Sequence, residues 1–508
     1  MSSLAHSPSA PPPVHATKPR SRAGSRNRRP RILLVTPELS ESRFLARNGK
    51  PGPCVKAGGL ADVSAALFDS LSEAGADVHV AMPHFRSLYQ PGPNGQSRRL
   101  HLCQDREFSY RRSVYDGCNH ANLRGALAFQ RDVIHYVMPR LRPDLVHCHD
   151  WMTGLVPAAA RTMGIPSLFT LHNQHDECVG LGQIEDRGVD AGRFWEKLYF
   201  NNYPGCYEEA RRDNSVSMLA SGILAADEMN TVSRSFLAEL ASGGGSTPWQ
   251  VTDAVRGKLA CGRGHGIINS PPASISPDRD VHLAERYDPA SHVPGKLANK
   301  RALQQRLGLE LDDEAPILFW PSRLDPAQKG CQLLAEIIYK LVSDYWALGL
   351  QVVFVADGPY HDVFRNIASF HQMGHRIAVC GFDEGLSRLG YAASDYILMP
   401  SAYEPCGLAQ MVGLRYGSLP IVHSTGGLRD TVTHLDPRWG TGNGFVFDYH
   451  DAQGLRWAVD EAIRFHIRPA AEREANVSRI MKEAAGLYSP ESMVRHYLEI
   501  YKRLLQLH

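Results

Sequence analysis

No stretch of this chain holds the roughly 20 continuous apolar residues that a membrane-spanning helix needs, so no membrane partner is expected. Its ten cysteines are scattered without a C-x-x-C pair. That spacing argues against zinc ribbons and dense disulfide frameworks, and for reduced thiols in a cytosol-like compartment. Neither a Gly-x-Ser-x-Gly elbow nor a G-x-x-x-x-G-K-[ST] phosphate loop occurs, which tells against hydrolase and kinase-like chemistry. Acidic residues are missing from positions 1–31, which carry seven Lys and Arg; the remainder has 48 basic against 53 acidic residues. The net charge of +2 therefore misleads, and a mildly acidic body gives no reason to expect nucleic acid as a partner. Residues 1–30 are rich in Ser, Pro and Arg and cannot build a core, so a disordered basic tail is expected there. The alternative is an organelle transit peptide; the expected location is the cytoplasm, or a plastid on that alternative.

What the chain has is length and a repeated turn. At 508 residues, with 43% apolar and 21% charged residues, it is too long for one ordinary core, and two soluble domains are expected. Gly58-Gly59-Leu60-Ala61-Asp62 recurs as Gly426-Gly427-Leu428-Arg429-Asp430, each opening an apolar-periodic stretch. Lys56 stands two positions before the first pair and Thr425 directly before the second. Glycine at a helix start lets backbone N–H groups approach an oxyanion, and the helix dipole favours negative charge there. Alone, either pair could simply start a helix.

Strands alternate with helices along most of the chain, which predicts a doubly wound parallel sheet. Strands are expected at 31–36, 77–82, 133–138, 145–148, 167–171 and 228–232. The pattern restarts after about residue 275, with strands at 316–320, 351–356, 376–380, 395–399, 420–422 and 444–447. Pro-rich Ser270–Pro277 marks a hinge. The expected units are a tail at 1–30, one domain at 31–272, a second at 273–488, and a final helix at 489–508 crossing back to the first. In open α/β sheets, ligands sit beyond the carboxyl ends of the strands. The polar motifs fall at such ends in both halves, so two sets of side chains should face each other across a cleft.

Arg323 and Lys329 follow a strand and would offset the charge that develops on a leaving diphosphate. Glu404, in Glu-Pro-Cys-Gly-Leu408, is a carboxylate on a tight turn, able to accept sugar hydroxyls or merely to cap its helix. His147, His149 and Asp150 raise a metal hypothesis, but in an extended segment 147 and 149 share one face and 150 the other, so no metal is expected.

Taken in order, Lys56-Ala-Gly-Gly-Leu-Ala-Asp-Val63, His147-Cys-His-Asp-Trp151, Thr170-Leu-His-Asn173, Ser322-Arg-Leu, Gln328-Lys-Gly330, Tyr403-Glu-Pro-Cys-Gly-Leu408 and Ser424-Thr-Gly-Gly-Leu428 resemble bacterial glycogen synthases and plant starch synthases of glycosyltransferase family 5. The resemblance runs from about residue 31 to the C-terminus. It implies the GT-B fold, two Rossmann-like doubly wound domains facing a cleft, and retaining transfer of glucose from a nucleotide sugar to an α-1,4-glucan. The implied donor is ADP-glucose or UDP-glucose, with no metal and no cofactor; oligomeric state stays open. By motif, His172, Arg323, Lys329 and Glu404 would be catalytic. Lys56, Gly58 and Gly59 would lie near the diphosphate, and Asp150, Asn173 and Asn269 near the glucosyl group. Cys406, Gly407 and Leu408 would line the sugar, Thr425, Gly426 and Gly427 the distal phosphate, and Phe382 the adenine.

Some residues depart from the pattern. The Arg323–Lys329 interval is one position longer than typical and requires a bulge. Asn269 is followed by Ser-Pro-Pro, residues 86–130 are short near the acceptor side, and Val412 stands where related enzymes carry a second glutamate. The alternatives are a related GT-B transferase with another donor or acceptor, and a catalytically silent glucan-binding homologue.

Overall fold

A computed structural model describes residues 29–45, 54–86, 88, 97–115, 119–244 and 247–506. The tail expected over 1–30 therefore lies, up to residue 28, outside the described residues.

The first lobe is built on seven parallel strands: β1 (Arg31–Val35), β2 (Asp77–Pro83), β3 (Leu100–Cys103), β4 (Leu145–His149), β5 (Ser167–Leu171), β6 (Glu228–Thr231) and β7 (Gly264–Gly266), in the order β7-β6-β5-β4-β1-β2-β3. The second lobe has six parallel strands: β8 (Ile317–Trp320), β9 (Gln351–Val355), β10 (Ile377–Cys380), β11 (Tyr396–Met399), β12 (Leu419–His423) and β13 (Phe445–Phe447), in the order β10-β9-β8-β11-β12-β13. In both, the strand order reverses beside the lobe's first strand, so each has one topological switch point: β1/β4 and β8/β11. This is the GT-B arrangement of two facing α/β lobes.

The central strands of the second lobe are nearly continuous apolar runs because helices cover both faces. In the second sheet Leu318, Trp320, Val352 and Phe354 pack into one cluster, while Ile317, Phe319, Val353 and Val355 pack into another on the opposite face. That alternation is the two-residue period of a strand. Helix α1 (Gly59–Glu73) buries Leu60, Val63, Leu67 and Leu71 along one stripe, and Gly75 follows at φ +87°. The last helix, Pro490–Gln506, turns Met493, Val494, Tyr497, Ile500, Tyr501 and Leu504 into the core of the first lobe.

One expected strand is not a strand. Residues 133–138 continue the helix Asn119–Asp132 through a π-helical turn, Val133–Val137. Val133, Ile134 and Met138 are buried whereas Tyr136 is 61% exposed, so the run packs one-sidedly as a helix does. β-branched composition suggested a strand, and tertiary packing overrode it. Strands β3 and β7, both short, are additional to those expected from the sequence.

The Pro-rich segment after Asn269 is clamped. Arg415 donates to the carbonyls of Pro272 and Ile275, at 3.2 and 3.1 Å, and to Tyr488 O beside them. Ser270 Oγ reaches Tyr488 O at 2.7 Å, so both chain crossings between the lobes meet at one guanidinium.

Candidate active site

Every sequence motif expected to carry oxyanion or sugar chemistry lies beyond a strand's carboxyl end, several of them at the two switch points. From the first lobe, Asp150 follows β4 with a left-handed φ of +57°, unusual for a non-glycine. Its Oδ1 accepts the His172 amide at 2.7 Å and its Oδ2 accepts Asn173 Nδ2 at 3.2 Å. Burial pushes its carboxyl up to about 7, although the His172 and Asn173 backbone amides work against the rise.

Beside it lies a column of imidazoles. His172 Nε2 meets His149 Nδ1 at 2.9 Å, and the His149 ring sits 4.2 Å from that of His147. Burial lowers His147 and His172 to about 3 and His149 well below its usual value, so the column is neutral. His147 Nδ1 contacts Tyr501 Oη at 2.7 Å and its Nε2 contacts Thr170 Oγ1 at 2.6 Å. Thr170 gives its own proton to Asn230 Oδ1, so Thr170 must accept from His147 Nε2 and Tyr501 must donate to Nδ1. Thr170 thus fixes the tautomer of a histidine two rings behind His172, and Tyr501 of the final helix supplies the matching donor. Among the described residues no group of three or more His, Cys, Asp or Glu is placed to hold a metal ion.

From the second lobe, Lys329 Nζ donates to Glu404 Oε2 at 2.6 Å, and Ser401 Oγ donates to the same oxygen at 3.0 Å. The extra residue between Arg323 and Lys329 is taken up by a turn: Lys329 N bonds Asp325 O at 2.8 Å, and Asp325 Oδ1 accepts Ala327 N at 2.9 Å. Arg323 is exposed, with Gln328 Oε1 at 3.4 Å as its neighbour. Phe382, beyond β10, presents a ring in a residue 57% exposed, and its amide is held by Asp357 Oδ1 at 3.1 Å. Val412 is buried in the second lobe's core.

The lobes touch at these motifs. Ser233 Oγ, beyond β6, donates to Pro405 O at 2.6 Å. A methyl added to Gly59 would lie 3.5 Å from Leu408 Cδ1, and Cys406 packs within the first lobe's core. Burial raises the Cys406 thiol to about 12, with the Asn269 backbone amide bonded to it working against the rise. Asn269 Oδ1 and His149 Nε2 are both buried without a hydrogen-bond partner.

The two glycine turns are already occupied, by carboxylates that the sequence motifs did not include. Glu38 Oε2 accepts Ala57 N at 2.6 Å and Gly58 N at 3.0 Å, while Lys56 pairs with Asp62 at 2.8 Å. Tyr115 Oη donates to the other oxygen of Glu38 at 3.3 Å. At the second turn, Gly426 N donates to Glu239 Oε1 at 2.8 Å, and Gly427 N to Glu404 O at 2.8 Å. Glu38 had a sequence signal, since it follows the first strand at a switch point. Glu239 had none, because its partner lies in the other lobe. A separate cavity of about 220 Å³ opens beside Tyr396 and Leu419 at the opposite ends of the second sheet's strands. Its lysines are committed, Lys300 to Asp395 and Lys296 to the carbonyls of Ala392 and Ser394.

Comparison with known proteins gives the family of the chain. Residues 31–248 match the starch synthase catalytic domain family and residues 303–477 the glycosyl transferases group 1 family. A glycogen synthase of Exiguobacterium sibiricum is 32% identical over 82% of this chain and 90% of its own length. The chain belongs to the glycogen and starch synthase family. Another relative in this family, a glycogen synthase of Moorella thermoacetica, is 30% identical over 94% of this chain and 97% of its own. Among solved structures, the catalytic domain of Arabidopsis thaliana starch synthase IV, bound to ADP and acarbose, superposes with a TM-score of 0.77 at 24% identity, covering 94% of this chain and all of that one. A sucrose-phosphate synthase of Thermosynechococcus elongatus shares the fold more distantly, with a TM-score of 0.60 at 16% identity over 94% of this chain and 100% of its own. Membership of the glycogen and starch synthase family makes this chain a glycosyltransferase. No helix among its described residues is long and apolar enough to cross a membrane.

Proposed function

We propose that this glucan synthase transfers glucose from ADP-glucose to the non-reducing end of an α-1,4-glucan, with retention at the anomeric carbon. The carrying observation is the contact between the two switch points, where Leu408 stands over Gly59 and Lys329 reaches Glu404 behind it. Curated relatives of similar length are named glycogen synthase, and the Arabidopsis enzyme of the same fold was solved with ADP and acarbose.

In this reading Arg323 and Lys329 stabilise the departing diphosphate, and the Thr425–Gly427 turn takes its distal phosphate. Lys56 with Gly58 and Gly59 closes from the opposite side. Glu404, Cys406, Gly407 and Leu408 line the glucosyl group together with Asp150, His172, Asn173 and Asn269, and Phe382 stacks on the base. Closed lobes exclude water that would otherwise hydrolyse the donor. Both oxygens of Asp150 are engaged by His172 and Asn173, and Glu404 is held by Lys329 and Ser401. The reading takes front-face transfer, with these carboxylates holding the sugar and its neighbours, over a covalent double displacement. The boundary near 272/273 and the crossing at 489 belong to the same proposal.

ADP and UDP release, measured with each donor with and without glycogen, tests it. Expected is glycogen-dependent ADP release from ADP-glucose with α-linked product by NMR. Preference for UDP-glucose overturns the donor, and glycogen binding without release from either donor favours the silent homologue.

A further inference from the structure

Two helices, one from each lobe, cap each other across the cleft. Helix α2 (Arg234–Ser242) belongs to the first lobe and α3 (Gly426–Thr431) to the second. Asp430 of α3 accepts the amides of Arg234 and Ser235 at 2.6 and 2.9 Å through Oδ2, and Ser235 Oγ at 2.6 Å through Oδ1. Glu239 of α2 returns the arrangement. Its Oε1 accepts Gly426 N at 2.8 Å and lies 3.5 Å from Thr425 Oγ1. The first bond set touches only the start of α2. The second occupies one donor of the glycine turn itself, the Gly426 amide, while the Gly427 amide is held by Glu404 O.

We infer that Glu239 is a displaceable stand-in for the distal phosphate of the donor, and that it sets the affinity of the cleft for nucleoside diphosphates. The inference rests on the Thr425–Gly427 turn holding that phosphate, as proposed above. One N–H serves one acceptor well, and two anions within hydrogen-bond distance of it repel strongly where water is scarce. The turn has little freedom to move aside. Gly426 sits at φ +42°, and a Cβ there would collide with the Glu404 carbonyl oxygen. A phosphate oxygen therefore takes the amide only as the Glu239 carboxylate leaves it. Asp430 does not compete, since its carboxylate is bonded to Arg234 and Ser235 at the start of α2 rather than to the Gly426 amide. The chain thereby satisfies its phosphate-binding amide when empty and relinquishes ADP more readily after transfer.

Glu239→Gln keeps an acceptor oxygen for Gly426 N and removes the charge. Calorimetric titration of wild type, Glu239→Gln and Asp430→Asn with ADP, AMP, UDP and UMP tests the exchange. Thermal melting of each variant checks that it remains folded. Expected is binding of the preferred diphosphate about tenfold tighter to Glu239→Gln, with monophosphate affinity unchanged within about twofold. Asp430→Asn should show no such selective gain. Equal or weaker diphosphate binding by Glu239→Gln overturns the role of Glu239, as does a gain shared by the monophosphate. Wild type that binds monophosphates as tightly as diphosphates overturns the phosphate assignment of the Thr425 turn as well.

Discussion

Lys329 Nζ lies 2.6 Å from Glu404 Oε2, and the two side chains are only 12% and 9% exposed. A charge pair this buried is costly to assemble and more costly to halve, because a lone charge is left without water or partner. The pair joins the loop beyond β8 to the loop beyond β11, the two edges of the second lobe's switch point. It therefore holds in register the cation proposed for the diphosphate and the carboxylate proposed for the sugar.

Lys329→Met should destabilise the protein by about 3 kcal/mol and lower kcat at least ~100-fold. Adding Glu404→Gln should recover most of the stability and none of the turnover. Denaturant melts and donor-release assays on the single and double variants check this. Recovery of turnover in the double variant would reduce the pair to a structural strut.

Arg323 presents the opposite case, since it is exposed and makes only a long contact to Gln328. Arg323→Ala should leave stability within ~0.5 kcal/mol of wild type and reduce kcat ~100-fold, as removal of an oxyanion-stabilising group does. Wild-type turnover in this variant would remove Arg323 from the reaction.

The two Gly-Gly turns should differ in tolerance. Gly426 has a positive φ and no room for a Cβ beside Glu404 O, whereas a Cβ on Gly59 meets Leu408 at an ordinary 3.5 Å. Gly426→Ala should cost about 2 kcal/mol or more, and Gly59→Ala less than ~1 kcal/mol. Equal melting temperatures for the two variants would contradict the closed geometry of the second turn.

The brace from the final helix should be pH-dependent. Burial would raise the Glu228 carboxyl, but bonds from His265 and Arg503 override it and hold Glu228 down to about 2, against 4.5 for the free side chain. A depressed carboxylate contributes stability above its unfolded value, and loses it as pH falls from about 4.5 through about 2. Arg503 is half-exposed, so screening limits the pair. Arg503→Met should cost about 1 kcal/mol at pH 7, with the difference from wild type closing below pH 4.5. A constant difference across that range would mean that lost packing, not charge, is responsible.

Much of the architecture was legible in advance because it is periodic. The apolar runs of β1, β8 and β11 and the spacing of Leu60, Val63, Leu67 and Leu71 specify buried strands and a one-sided helix. The positions of Asp150, His172, Arg323, Glu404 and Thr425 beyond strand ends followed from the same pattern. Val133–Val137 was misread because β-branched residues carry a composition signal, whereas which face they bury depends on the neighbours of the whole helix. Tyr501 could not be linked to His147 at all, since 354 residues separate them.

The glycine turns divide most clearly between local and tertiary causes. That both would be tight, amide-presenting turns opening helices was written locally, in Gly-Gly followed by an apolar stripe. Which carboxylate each turn meets was not: Glu38 comes to Gly58 from 20 residues away, and Glu239 to Gly426 from 187 residues away in the other lobe. A backbone amide carries no label for its acceptor, and only the approach of two sheets brings one within 3 Å. Local chemistry made two oxyanion turns, and tertiary packing decided that the first is filled from its own lobe and the second across the cleft.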